Sequence, residues 1–374
     1  MYTPGRRRPH PALAIVAFAL VLALGAACRE DTGGDAGPGP TIVRADREGD
    51  PRQTLLGLSA LPAERTTSGY VAAFADAARN ADILLIHRTP AWSDFLPGGS
   101  VSEATAETTR FDTELLEQYG NLELFFAIDP TDSASGRARI ADVPVGVAPD
   151  AGFNDPALRN AFLAYTAYVV ANYEPDYLAL GVEINMLYER NPAQFEAFVS
   201  LYEEAYDAAK EARPEMRIFP TFQYEDLLGL ADEIHAPHWE VIDAFDGRID
   251  VLALSSYPSR SHTTAGDIPE DYYTQAAAHF DGEIMLAETG YTSAPADGFL
   301  AIGTAEDQRA FVQRLEAESD AGTFSAVVWY AAEDPGFAPE GPAARLNSIG
   351  LRTNAGEPKL AWETWEAWSR RPVE

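Results

Sequence analysis

Eight short apolar runs recur along this chain, at residues 54–58, 82–87, 123–128, 177–184, 217–222, 251–255, 283–287 and 325–330. Most are apolar on both faces, as strands of a parallel sheet covered on both sides must be. Longer segments with helical period separate them. Leu158, Phe162, Tyr165 and Val169 fall on one stripe, as do Phe195, Phe198, Tyr202 and Ala205. Thr304-Ala305-Glu306-Asp307 reads as a capping-box-like start for a helix carrying Phe311, Val312 and Leu315. Trp362, Trp365 and Trp368 recur every third residue on a segment that reads as a final helix packed on the body of the protein, with a sugar platform as the alternative.

Eight β units, each followed by a helix, over roughly 320 residues predict a single-domain (β/α)8 barrel, the TIM-barrel class of α/β folds. An open doubly wound sheet would place a glycine-rich phosphate loop after its first strand. Here Ser59-Ala60-Leu61-Pro62 follows the first run, and neither G-x-G-x-x-G nor a P-loop occurs. Three segments are expected: residues 1–27 as a signal peptide, 28–51 as a flexible tether and 52–374 as the barrel.

The N-terminus carries Arg6, Arg7 and Arg8, then an apolar stretch from Ala12 to Leu24, then Gly25, Ala26 and Ala27 before Cys28. The stretch is shorter than the ~20 residues of a membrane span and fits an export signal. Cys28, the single cysteine of the chain, stands where a bacterial lipobox places its acylated residue. Gly25 occupies the usual Leu position; ordinary signal-peptidase cleavage is the alternative. Export with a lipid anchor on Cys28, holding the protein at a membrane, is the expectation. Residues 29–50, rich in Gly, Pro, Asp and Arg, fit a tether.

One cysteine excludes an intrachain disulfide and any Cys-rich metal cluster. A net charge of −31 argues against nucleic acid as a partner, since its phosphates would be repelled. A monomer is expected.

Active groups of such barrels sit where strands end. Run four closes Leu180-Gly181-Val182-Glu183-Ile184-Asn185, and run seven closes Leu286-Ala287-Glu288-Thr289-Gly290-Tyr291. A carboxylate ending so apolar a strand is costly unless it is paired or needed. Two carboxyls across one mouth suit glycoside hydrolysis, which retains configuration when they stand about 5 Å apart and inverts it when the gap is wider.

At these residues the sequence resembles clan A of the retaining glycoside hydrolases. Within the clan it resembles the arabinogalactan endo-β-1,4-galactanases most. Leu254-Ser255-Ser256-Tyr257-Pro258, Val327-Val328-Trp329-Tyr330, Glu183-Ile184-Asn185-Met186-Leu187 and Ser348-Ile349-Gly350-Leu351 with Gly356-Glu357-Pro358-Lys359 carry the likeness. The resemblance implies Glu183 as acid/base, Glu288 as nucleophile, Tyr257 as hydrogen-bond partner of Glu288, and Trp329 as floor of the sugar subsite. It implies a carbohydrate substrate and no cofactor. Two departures stand out. Val182 replaces the Asn that ordinarily precedes the acid/base and binds the sugar 2-hydroxyl, leaving Asn185 to compensate. Asp129-Pro130-Thr131-Asp132 replaces a His-containing motif.

Further candidates follow the runs. Arg88, after His87, could pair with Glu288, and Trp92 and Trp239 could stack on sugar rings. Gln223 and Tyr224 could line the mouth. His235 and His238 lie three apart with no third metal ligand in view, so no metal is assigned. Asp76, Asp82 and the segment 203–211 read as solvated faces. Gly-x-Ser-x-Gly is absent, which disfavours an α/β-hydrolase triad. The leading reading is an exported retaining β-glycosidase acting on an oligo- or polysaccharide. The alternatives are a sugar-binding surface lipoprotein on a degenerate glycosidase barrel, and a metal-dependent barrel hydrolase built on His87, Asp129 and the histidine pair.

Overall fold

The computed structural model describes residues 44–230, 235–295, 300–337 and 346–374. The expected signal segment and Cys28 lie outside the described residues. Nine strands form one parallel sheet: β1 Leu55–Ser59, β2 Ile83–Arg88, β3 Glu123–Ile128, β4 Tyr177–Ala179, β5 Arg217–Phe219, β6 Thr221–Gln223, β7 Leu252–Ser256, β8 Ile284–Thr289 and β9 Ala326–Trp329. β1 pairs with both β2 and β9, so the sheet curls back on its first strand.

β5 and β6 are the two halves of run five. Pro220 separates them because it has no N–H to give to the ladder. The first half pairs with β4 and the second with β7, which closes a ring of eight strand positions. Strands and helices share one apolar core: Leu56, Phe126, Leu178, Phe222, Leu254, Leu286 and Val328 are wholly buried.

The helical stripes bury as their spacing requires. Asp155 caps the helix Pro156–Tyr173 through the amides of Ala157 and Leu158, and Leu158, Phe162, Tyr165 and Val169 all face inward. Thr304 caps Ala305–Asp320. The helix Leu360–Ser369 packs Trp365 against Trp329, with ring centroids 6.2 Å apart, and its tryptophans form no exposed platform. The expectation of a helix after every strand fails once. Only short 3-10 turns, Pro258–Arg260, Ala265–Asp267 and Thr274–Ala278, lie between β7 and β8. Pro258, Gly266, Pro269 and Gly282 interrupt any helical run there.

At the strand starts, carboxylates stitch neighbouring strands in pairs. Asp82, one residue before β2, donates its amide to the Leu56 carbonyl and accepts the Leu56 amide on its carboxylate at 3.0 Å. Asp176 does the same for Leu124 before β4, and Asp250 for Ile218 ahead of β7. Asp82 also binds the buried Arg52 guanidinium at 2.6 Å. Asp76 pairs with Arg352. Both aspartates are therefore buried structural partners, and the reading of them as solvated faces is corrected.

The expected tether ends earlier than residue 51. Arg44 donates to the Ala78 carbonyl, and Arg47 binds Ser369 and Asp82, so residues 44–51 are docked on the barrel. Among the described residues, no helix is long and apolar enough to cross a membrane.

Removing the Asp82 carboxylate strands the buried Arg52 charge and the Leu56 amide. Asp82→Ala is expected to destabilise the barrel by about 3–5 kcal/mol, read as a lowered denaturant midpoint. A loss below about 1 kcal/mol would contradict this account.

Candidate active site

All strands run the same way, so their C-terminal ends share one mouth. Glu183 reaches it on strained backbone. β4 gives way to Gly181 at φ +152°, where a Cβ would come within 2.6 Å of the Phe198 ring. Glu183 follows in the left-handed region at φ +49°, a conformation that costs about 1–2 kcal/mol for a residue with a side chain. Thr221 holds it there, accepting the Glu183 amide on its hydroxyl at 2.9 Å and the Ile184 amide on its carbonyl at 2.9 Å.

The Glu183 carboxylate is 3% exposed. It accepts a hydrogen bond from Ser255 at 2.9 Å on Oε1 and from Arg137 Nε at 2.8 Å on Oε2. Arg137 in turn donates through Nη1 to both Asp129 oxygens at 2.9 Å and to Thr131. His87 Nε2 lies 3.2 Å from the same Asp129. Burial alone would raise the Asp129 carboxyl, but Arg137 and His87 outweigh it and hold it down to about 2.

Glu288 enters from β8. The β7–β8 register slips between Leu254 and Ser255, so that Ser255 stands opposite Glu288. Such a slip re-aims a side chain. Adjacent strands lie about 4.8 Å apart, so Ser255 is beside Glu288 in the sheet while its hydroxyl holds Glu183. The two glutamates thus share one mouth. Tyr257 donates its hydroxyl to Glu288 Oε1. Burial, then the negative charge of Glu183, push the Glu288 carboxyl up to about 7, against the pull of His87, Tyr257 and Arg137.

Behind Tyr257, the buried Glu225 accepts its amide at 3.0 and 3.1 Å and the hydroxyls of Ser256 and Tyr272. Tyr330, 5% exposed, faces the two carboxylates; burial and both negative charges raise its hydroxyl far above its ordinary value.

Several predicted partners are not in this mouth. Arg88 points outward to Tyr70 and Asp112, at 2.7 and 3.1 Å, and cannot serve Glu288. Trp329 is wholly buried, bonded to the Ile349 carbonyl and packed on Phe311 and Trp365, so it floors no subsite. Each lies one residue from a mouth residue, His87 and Tyr330, and successive strand side chains face opposite sides. Trp92 is buried with its indole N–H on the Ala141 carbonyl. Tyr224 is buried and donates to the Tyr272 carbonyl.

Asn185 is buried too. It bonds both backbone groups of Gln223 and the Asp226 carboxylate, so it does not replace the missing Asn at Val182. Gln223 caps the following turn instead of lining the mouth. Trp239 stacks on His279 with centroids 4.2 Å apart. Sequence reading missed Arg137, Ser255 and Tyr330 as site residues. Tyr330 directly follows Trp329, so alternation along run eight puts it on the opposite side from Trp329; nothing local marks Arg137, which sits in a left-handed turn after Gly136.

A cavity of about 1120 Å³ opens at the opposite end among strand-start residues such as Glu123, Asp176, Arg217 and Glu283. That end of a barrel serves stability.

No protein-family profile and no curated protein matches this chain. Solved structures match its fold. An exo-β-1,4-mannosidase from an Opitutaceae bacterium aligns over 88% of this chain at 15% identity and a TM-score of 0.62; the chain spans only 61% of that protein's length. A protein of subfamily 18 of glycoside hydrolase family 5, from Bifidobacterium longum subsp. longum, aligns over 86% of this chain and 81% of its own at 15% identity and a TM-score of 0.61. A family 39 glycoside hydrolase from Bacteroides cellulosilyticus covers 84% and 63%, at 12% identity and a TM-score of 0.57. These likenesses show the fold: a (β/α)8 barrel of the kind that glycoside hydrolases use.

Asp129 ionises more readily in the folded chain than its ordinary value of 3.8. Its depressed value contributes stability that is present above that value and lost as pH falls through about 2. Asp129→Asn is expected to flatten the pH dependence of unfolding free energy between pH 4 and 2 by about 2 kcal/mol. An unchanged slope would remove Asp129 from the charge network.

Proposed function

We propose that this chain is a retaining glycoside hydrolase acting on β-linked hexose chains. The observation that carries this reading is the convergence of Glu183 and Glu288 in one mouth, joined through Ser255 and Tyr257. The fold shared with glycosidases supports it.

Glu288 attacks the anomeric carbon. Its carboxylate oxygen forms the new bond while the bond to the leaving oxygen breaks, and Glu183 gives that oxygen its proton. A water then attacks the same carbon, passes its proton to Glu183 and releases Glu288. Tyr257 orients Glu288 throughout, and Tyr330 borders the reacting carbon. Arg137 pairs with Glu183, whereas Glu288 takes up a proton more readily than an ordinary carboxyl. This same ion pair favours a second reading, in which Glu183 is the nucleophile and Glu288 the acid.

Trapping the covalent intermediate separates the two: a 2-deoxy-2-fluoro glycoside with a good leaving group is expected to label Glu288 in the first reading and Glu183 in the second, read by mass analysis of the labelled peptide. In both readings kcat/KM is expected to fall as pH rises above about 7, because each needs one proton shared by the pair. Glu183→Gln and Glu288→Gln are each expected to lower kcat by about 10²–10⁴-fold on the cleaved polysaccharide. Galactan and mannan head the substrate panel, the first from the galactanase resemblance and the second from the mannosidase-like fold. Sugar binding without hydrolysis by wild type would favour the non-catalytic lipoprotein instead. Export and anchoring through Cys28 belong to this proposal. Cys28→Ala is expected to release the protein from membranes and abolish lipid labelling; a labelled variant would overturn the anchor.

A further inference from the structure

Beyond the mouth, three side chains from two segments converge: Glu189 on the helix Asn185–Arg190, and His235 and His238 ahead of the turn Glu240–Asp243. One ligand atom from each lies within 4.8 Å of the other two. We infer that Glu189, His235 and His238 form a site for a divalent transition metal of the Zn²⁺ class, clamping the loop after β6 to the segment that carries Glu183.

The chemistry of the donors selects the metal. Two imidazoles and one carboxylate are ligands for zinc, whereas calcium and magnesium take oxygen. The rings are already arranged for it. His235 Nδ1 lies 2.8 Å from the Ala236 carbonyl, which can only accept. That bond puts the proton on Nδ1 and leaves Nε2 bare, the arrangement of a metal-bound histidine steadied from behind.

His238 is 4% exposed. Its Nδ1 lies 2.7 Å from Glu189 Oε1 and its Nε2 3.3 Å from Asp226 Oδ2. Neither nitrogen has hydrogen-bond geometry to a partner. With Nδ1 on the ion beside Glu189, Asp226 stands ready to hold the proton on Nε2.

The two rings stack parallel, 4.7 Å between centroids and 10° between planes. Tetrahedral zinc would need its ligand atoms about 3.4 Å apart, given bonds of about 2.1 Å. Glu189 is exposed and His235 half-exposed, so Glu189 can draw back from its 2.7 Å contact and His235 can close in while His238 stays fixed. Asp226 is also bonded to Asn185, two residues past Glu183. The site therefore braces the strained stretch that presents Glu183, and three protein ligands leave one position for water.

The test uses tag-free protein stripped with chelator and dialysed. Titration calorimetry with Zn²⁺ is expected to show one equivalent bound, with calcium at the same concentration giving none. His235→Ala, at a half-exposed position outside the core, is expected to weaken Zn²⁺ binding by at least tenfold and to abolish the rise in Tm that Zn²⁺ gives wild type. His238→Ala should do the same if it folds. No bound Zn²⁺ overturns the site. So do several weak equivalents indifferent to His235→Ala, which would mark adventitious binding by the acidic surface.

Discussion

The mouth of this barrel depends on one buried cation. Arg137 lies between Asp129 and Glu183 and bonds both, with distances of 2.8–2.9 Å. Burying carboxylates without a partner would cost several kcal/mol each. Arg137 offsets that cost for two of them and leaves Glu288 to manage with the Tyr257 hydroxyl and the distant help of His87 and Arg137 itself. The unequal sharing sets the two glutamates apart electrostatically before any sugar arrives.

Much of the frame was legible in the chain. A parallel strand buried on both faces has to be a short continuous apolar run, and all eight such runs became strand positions, including one divided by Pro220. The two glutamates were legible because a charge closing an apolar run has few inexpensive explanations. Two candidates missed by one residue. Arg88 and Trp329 sit next to His87 and Tyr330, and a run apolar on both sides gives no sign of which neighbour faces inward. Asn185, Trp92 and Tyr224 failed differently. Each opens a short helix beyond its strand, where polar or aromatic groups serve buried packing as readily as a ligand. Arg137 comes from a loop whose left-handed turn carries no hydrophobic pattern at all.

The two ends of the barrel use carboxylates in opposite ways. At the strand starts, Asp82, Asp176 and Asp250 accept backbone amides and complete the ladder. At the strand ends, Glu183 and Glu288 make no bond to a neighbouring strand's amide through their carboxylates. Their oxygens meet side chains, which can move aside for a substrate. Glu225 lies between these cases: it is buried near the mouth, but it holds the Tyr257 amide and two hydroxyls, and so fixes the residue that orients Glu288.

The aspartate stitches also carry a geometric implication. Each ties one odd-numbered position of the ring to the even one after it, first with second, third with fourth, fifth with sixth, and for the last couple Ser325 donates both its amide and its hydroxyl to the Ile284 carbonyl. The cylinder is thus four twin-strand staves, each bolted at its foot. Loops at the opposite rim can vary in length and composition without loosening those bolts, which is the division of labour that lets one scaffold carry many chemistries.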